Sequence, residues 1–201
     1  ITDDDEFNVS APTDSNTDAN TLAEDASNGA SAKITASASD ADGTTNTVTY
    51  DITSQTCSGA FQIGASSGII TVLDTAAIDF ETASICDITV RATSADQSTS
   101  STTFTVLVTD VDDVAPSFTS SASITMNENV QNVVSLTVTD ADSSDAPTYT
   151  LSGTDSDLFQ VNSGTLRFAS STGQNFESMT CSANPCTVTC LLYTSDAADE
   201  V

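Results

Sequence analysis

The side chains with chemistry to offer in this sequence are carboxylates, and they fall in short, ordered groups. Glu24-Asp25 comes first, then Asp40/Asp42, Asp79/Glu81, Asp110/Asp112/Asp113, Glu128, and Asp140/Asp142. Hard cations such as Ca²⁺ take six to eight oxygens from Asp, Glu, backbone carbonyls and water. One loop does not easily supply that many, whereas acidic loops converging on a junction between two domains can. In an extended segment alternate residues share a face, so Asp-x-Asp aims both carboxylates to one side.

Other chemistries are excluded by what is missing. The 201 residues carry 29 acidic and 3 basic side chains, a net charge of −26, and no His. Without imidazole there is no Ser-His-Asp relay and no His-containing zinc site. Three cations cannot neutralise a nucleic-acid backbone or an anionic membrane surface. The longest apolar runs are about five residues, against the ~20 needed to span a bilayer. No signal peptide is visible, and the first residue is Ile1; we read the chain as a piece of a longer protein.

The elements that must position these acids are strands. Ile34–Ala38, Val48–Ile52, Ile88–Ala92, Phe104–Val108 and Val134–Val138 alternate apolar and polar residues between Asp/Gly/Ser clusters, the mark of half-buried strands. No stretch has a convincing helical period. Landmarks recur in order. Asp40-Ala41-Asp42, Tyr50, Phe61-Gln62-Ile63, Ser67-Gly68 and Asp79-Phe80-Glu81 are echoed by Asp140-Ala141-Asp142, Tyr149, Phe159-Gln160-Val161, Ser163-Gly164 and Asn175-Phe176-Glu177. The period, close to one hundred residues, is domain-sized. The expected fold class is all-β: tandem immunoglobulin-like Greek-key sandwiches of about seven strands each. The boundary lies in Thr109–Phe118, where strand propensity stops and Pro116 fixes the exit direction.

This order of acidic groups resembles the cadherin repeat, more closely the cadherin-like repeats of large secreted and surface proteins than the vertebrate adhesion cadherins. In that family an early Glu, a D-x-E triplet and a D-x-N-D-N-A-P-x-F linker combine with a D-x-D of the next repeat to hold up to three Ca²⁺. The resemblance covers residues 1–189. It implies that Glu24 is the early Glu, Asp79 and Glu81 the triplet, and Asp110, Asp112 and Asp113 the linker ligands, with Ala115-Pro116-Ser117-Phe118 completing the motif. Asp140 and Asp142 then close the site, and Val111 and Val114 contribute carbonyls. Asp3, Asp5, Glu6, Asp40 and Asp42 form part of an upstream junction, and Glu128 and Glu177 part of a downstream one. Asp112 and Val114 stand where the family has Asn, and Asn175 replaces the triplet Asp in the second copy. Ser94 occupies the place of a late Asp, with Asp96 two residues on.

The implied organisation is a tail of a preceding repeat at 1–7, repeat 1 at 8–113 and a truncated repeat 2 at 114–189. Residues 190–201 resemble the in-frame translation of a sequencing-library adapter, a non-native tail that accounts for the odd Cys190. Repeat 2 then lacks most of its F strand and all of its G strand, and is expected to be the less stable of the two. For the other cysteines the simplest pairing is one disulfide per repeat, Cys57–Cys86 and Cys181–Cys186, with buried free thiols as the alternative.

The function implied is that of a Ca²⁺-stiffened spacer in an extracellular, secreted or cell-surface adhesion protein. Its partners are neighbouring repeats and other adhesion molecules, without nucleic acid or membrane insertion. An alternative is a direct homophilic or heterophilic adhesive contact, disfavoured by the absence of Trp and the scarcity of Tyr and Arg. A carbohydrate-active enzyme built on paired carboxylates is a remote third reading, since sugar platforms need aromatics and these are 5% of the chain. Asn8-Val9-Ser10 matches an N-glycosylation acceptor.

Overall fold

The computed structural model describes residues 8–41, 47–142 and 147–175, together with the backbone of 191–195. It divides into two compact units, Ile1–Val111 and Asp112–Val201. Both are built from strands. The described helices are two single 3₁₀ turns, Thr75–Ala77 and Ser156–Leu158.

The first unit contains β1 (Thr13–Asp14), β2 (Thr21–Ala23), β3 (Ser31–Ser37), β4 (Thr49–Gln55), β5 (Phe61–Ile63), β6 (Ile69–Val72), β7 (Ile85–Thr93) and β8 (Thr99–Thr109). One sheet runs β1-β3-β6-β5 and the other β2-β8-β7-β4. β2 lies parallel to β8, while the remaining ladders are antiparallel. The chain thus crosses between sheets after β1, β2, β3, β4 and β6, which is Greek-key connectivity.

Alternation explains why these segments settle as they do. Ala32, Ile34 and Ala36 of β3, Ile70 and Val72 of β6, Cys86, Ile88, Val90 and Ala92 of β7, and Phe104, Val106 and Val108 of β8 are all buried. They face one core with Leu22, Tyr50, Phe61 and Ile78. The intervening Thr, Ser, Asp and Arg residues face outward, and a one-residue slip would exchange the two sets. Tyr50 carries its hydroxyl to the Ala38 amide, which donates to it at 2.9 Å. Cys57 and Cys86 form the expected disulfide across a Cα–Cα distance of 5.4 Å. The Ser-Gly landmark before β6 is a turn that needs glycine: Gly68 has φ +68°, and a Cβ there would run into the Ala36 carbonyl.

The second unit contains β9 (Ser117–Phe118), β10 (Asn132–Ser135), β11 (Val138–Thr139), β12 (Thr148–Ser152), β13 (Phe159–Asn162), β14 (Thr165–Phe168) and β15 (Leu191–Ser195). They pair as β10-β14-β13, β11-β9 and β12-β15. The alternating run Val134–Val138 is not one strand. Its first part pairs with β14 through a register irregularity between Asn132 and Val134, and its last residues pair with β9. At the break, the Leu136 amide donates to the Gly164 carbonyl, and the Thr119 amide donates to the Thr137 carbonyl. The backbone of Leu191–Ser195 pairs antiparallel with β12 along its whole length. Cys181 and Cys186 lie outside the described residues.

The second core is thin. Among the described residues the buried apolar side chains of this unit are Pro116, Leu166 and Phe168, supported by a Phe159–Phe168 stack at 4.8 Å and a Phe118–Tyr149 contact at 6.1 Å. Apolar burial contributes about 25 cal/mol per Å². Hydrogen exchange is therefore expected to be faster, by about tenfold or more, for amides of β12–β14 than for those of β7 and β8. Equal protection in the two units would contradict this reading.

Candidate metal centre

In the first unit three carboxylates meet. One oxygen each of Glu24, Glu81 and Asp110 lies within 4.8 Å of the others. Oxygens 2.3–2.6 Å from a shared Ca²⁺ stand up to about 5 Å apart, so this spacing is that of a coordination shell. Three elements deliver them. Glu24 follows β2, Glu81 lies in the loop before β7, and Asp110 follows β8. The parallel ladder of β2 on β8 pairs Ala23 with Thr109, which sets Glu24 beside Asp110 whatever their side chains.

Glu24 is the buried member, 4% exposed, while Glu81 and Asp110 are exposed. Its burial is tolerated because both oxygens accept backbone N–H groups. The Phe80 amide donates to Oε2 at 2.6 Å, and the Val111 amide to Oε1 at 2.7 Å. Charge-assisted bonds of this kind are the strong class. One carboxylate thereby ties the triplet loop and the linker together, and each of its oxygens keeps a second lone pair for a cation.

The one ion pair among the described residues is Arg91–Asp51, on the outer face of β7 and β4. Two carboxylates about 4.8 Å apart repel by roughly 3 kcal/mol at an effective dielectric near 20. The donor set of ionised oxygens, without nitrogen or sulfur, suits a hard cation.

Asp79 is not among the three. Its Oδ1 accepts from the Thr82 amide and its Oδ2 from the Thr82 hydroxyl, each at 2.8 Å. These bonds, the backbone one foremost, hold its carboxyl below the ordinary value. Asp79 therefore fixes the turn that presents Glu81. Thr82 is a residue that sequence reasoning missed, although Asp followed three positions later by Thr is a recognisable local capping pattern. The amides of Phe80 and Val111 were also missed: Val111 was expected to act through its carbonyl, and its N–H holds Glu24.

In the second unit Asp142 is buried at 5% exposure. Its Oδ2 accepts from the Asp113 amide at 2.7 Å and the Val114 amide at 2.5 Å, while its own amide donates to Asp140 Oδ1 at 3.2 Å. The Asp-Ala-Asp segment thus grips the linker backbone from Asp113 onward. Asp112 and Asp113 share this linker. Glu128 is half-buried in a turn whose Asn129 amide donates to the Gln174 carbonyl at 2.7 Å, next to Asn175. Of the upstream set, Asp40 is buried at 1% exposure, and Ser94, at 3%, has a hydroxyl with no partner among the described residues. Asp3, Asp5, Glu6, Asp42 and Glu177 lie outside the described residues.

Residues 19–109 match the cadherin domain family. The first unit is a cadherin domain. Solved cadherin ectodomains also share the architecture of a longer stretch. It resembles mouse cadherin-23 EC22-24 at 26% identity and a TM-score of 0.59, over 79% of this chain and 53% of that one. Drosophila N-cadherin EC1-4 is similar at 24% identity and 0.57, over 81% and 41%. Human protocadherin-24 EC1-2 is similar at 19% and 0.58, over 87% and 82%. The chain thus spans about half the length of the mouse cadherin-23 fragment. No curated protein is significantly similar in sequence. In the first unit β1-β3-β6-β5 and β2-β8-β7-β4 are the two sheets of the cadherin domain, and the acidic group sits where β8 ends. Among the described residues no helix is long and apolar enough to cross a membrane.

Proposed function

We propose that this segment is a calcium-rigidified, non-enzymatic spacer in an extracellular adhesion protein, with repeats at 8–113 and 114–189. Calcium bridges the carboxylates that end the first repeat, Glu24, Glu81 and Asp110, to linker and second-repeat ligands Asp112, Asp113, Asp140 and Asp142. The observation that carries the reading is the clustering of three ionised oxygens around a buried Glu24 already oriented by two amides. The second unit adds support from its own side, since its buried Asp142 organises the linker backbone that carries Asp113.

Without the cation the carboxylates repel, and the hinge between repeats samples many angles. With it, opposite charges replace like ones and the hinge stiffens. Small-angle X-ray scattering of the full chain is expected to show a longer maximum dimension and a narrower distance distribution in saturating calcium than in chelator. Superimposable profiles in the two buffers would overturn the spacer reading.

A further inference from the structure

A second feature of the first unit is unrelated to the acidic end. On the outer face of the β2-β8-β7-β4 sheet, Ile85 and Leu107 stand directly opposite each other and are 49% and 48% exposed. The rest of that face is hydrophilic: the next outward pair is Asp87 with Thr105, joined by a 2.7 Å hydrogen bond from the threonine hydroxyl. Leu107 also floors a groove of about 480 Å³ beside the crossover from β1 to β2, walled by Asp14, Asp18 and Thr21. Asp14 is held by the Asn16 and Thr35 amides on Oδ1. Asp18 is exposed, and its carboxylate takes part in no hydrogen bond or ion pair among the described residues.

An aliphatic pair beside a groove that carries the Asp14 and Asp18 carboxylates is a complementary surface for side chains that are apolar along the stem and cationic at the tip. The geometry points to this groove as a docking site for a basic, aliphatic-rich segment of a different protein. A second copy of this chain is the wrong occupant on charge: each copy carries −26 and three basic residues, of which Arg91 is already paired with Asp51. Two such surfaces repel, whereas a cationic partner is steered in.

The test uses the full chain in saturating calcium, so that the carboxylates at the end of the repeat are not open to cations. The probe is the peptide acetyl-Leu-Arg-Leu-Lys-Leu-amide, followed by amide chemical shifts. Saturable shifts are expected at Asn20, Thr21, Thr105 and Leu107, weakening with added salt. The peptide with Glu in place of Arg and Lys is expected to give none. Leu107→Thr, which copies the outward threonines on either side of it, is expected to weaken binding about tenfold. Should that variant fail to fold, Ile85→Thr with Asp18→Asn makes the same test from the neighbouring strand and the groove wall. Absent or non-saturating shifts, shifts confined to Glu81 and Asp110, or unchanged affinity in the folded variants would each overturn the proposal. Calcium-independent self-association through Ile85 and Leu107 would also overturn it, naming a second copy as the occupant.

Discussion

Glu24→Ala is expected to destabilise the first repeat by about 3–5 kcal/mol even in calcium-free buffer. The reason is local. The carboxylate is buried and accepts the Phe80 and Val111 amides; alanine strands both donors, and hydrogen bonds to a charged group are worth about 1.5–3 kcal/mol each. Against a total stability of about 5–15 kcal/mol for a domain, that loss threatens folding. Glu81→Gln supplies the contrast. Glu81 is exposed, so in chelator its stability stays within about 0.5 kcal/mol of the parent, whereas its calcium affinity falls about tenfold or more. Urea unfolding in chelator separates the two. If Glu24→Ala unfolds like the parent there, Glu24 is not the structural tie described.

Saturating calcium is expected to raise the thermal midpoint of the first repeat by about 10–20 °C over chelator. A ligand bound only by the folded state, at one hundred times its dissociation constant, adds about 2.7 kcal/mol, and each kcal/mol moves the midpoint of a domain this size by about 4–8 °C. Relief of repulsion among Glu24, Glu81 and Asp110 is the source of the gain. Magnesium is expected to give a smaller shift, because it demands a tighter octahedral shell than exposed, loop-borne carboxylates provide. Differential scanning calorimetry in calcium, magnesium and chelator checks this. Identical midpoints in calcium and chelator would leave the cluster without a ligand.

How far the sequence led depended on the kind of interaction. β3, β7 and β8 were legible because their inward residues alternate strictly, and burial of one face is what selects a strand register. The break in 132–139 was not, because Ser135-Leu136-Thr137 keeps the same alternation while its hydrogen bonds pass from β14 to β9; pairing partners leave no trace in one strand's pattern. The parallel contact of β2 with β8 was hidden for the same reason, and it is what brings Glu24 to Asp110. Cys57 and Cys86 pair as read from their place in the repeat. Among the acids, the repeat order singled out Glu24, Glu81 and Asp110, which the fold does bring together. It could not show that Asp79 spends its oxygens on Thr82, or that Glu24 is aimed by two amides. Every residue but proline has an amide, so amide donors have no sequence signature.

The measurement that bears most directly on the central claim is a calorimetric calcium titration of the chain beside its Glu81→Gln/Asp110→Asn variant. Saturable binding by the parent is expected, with at least one site lost in the variant and unchanged stability of the two proteins in chelator. Equal stoichiometry and affinity in both would contradict that claim.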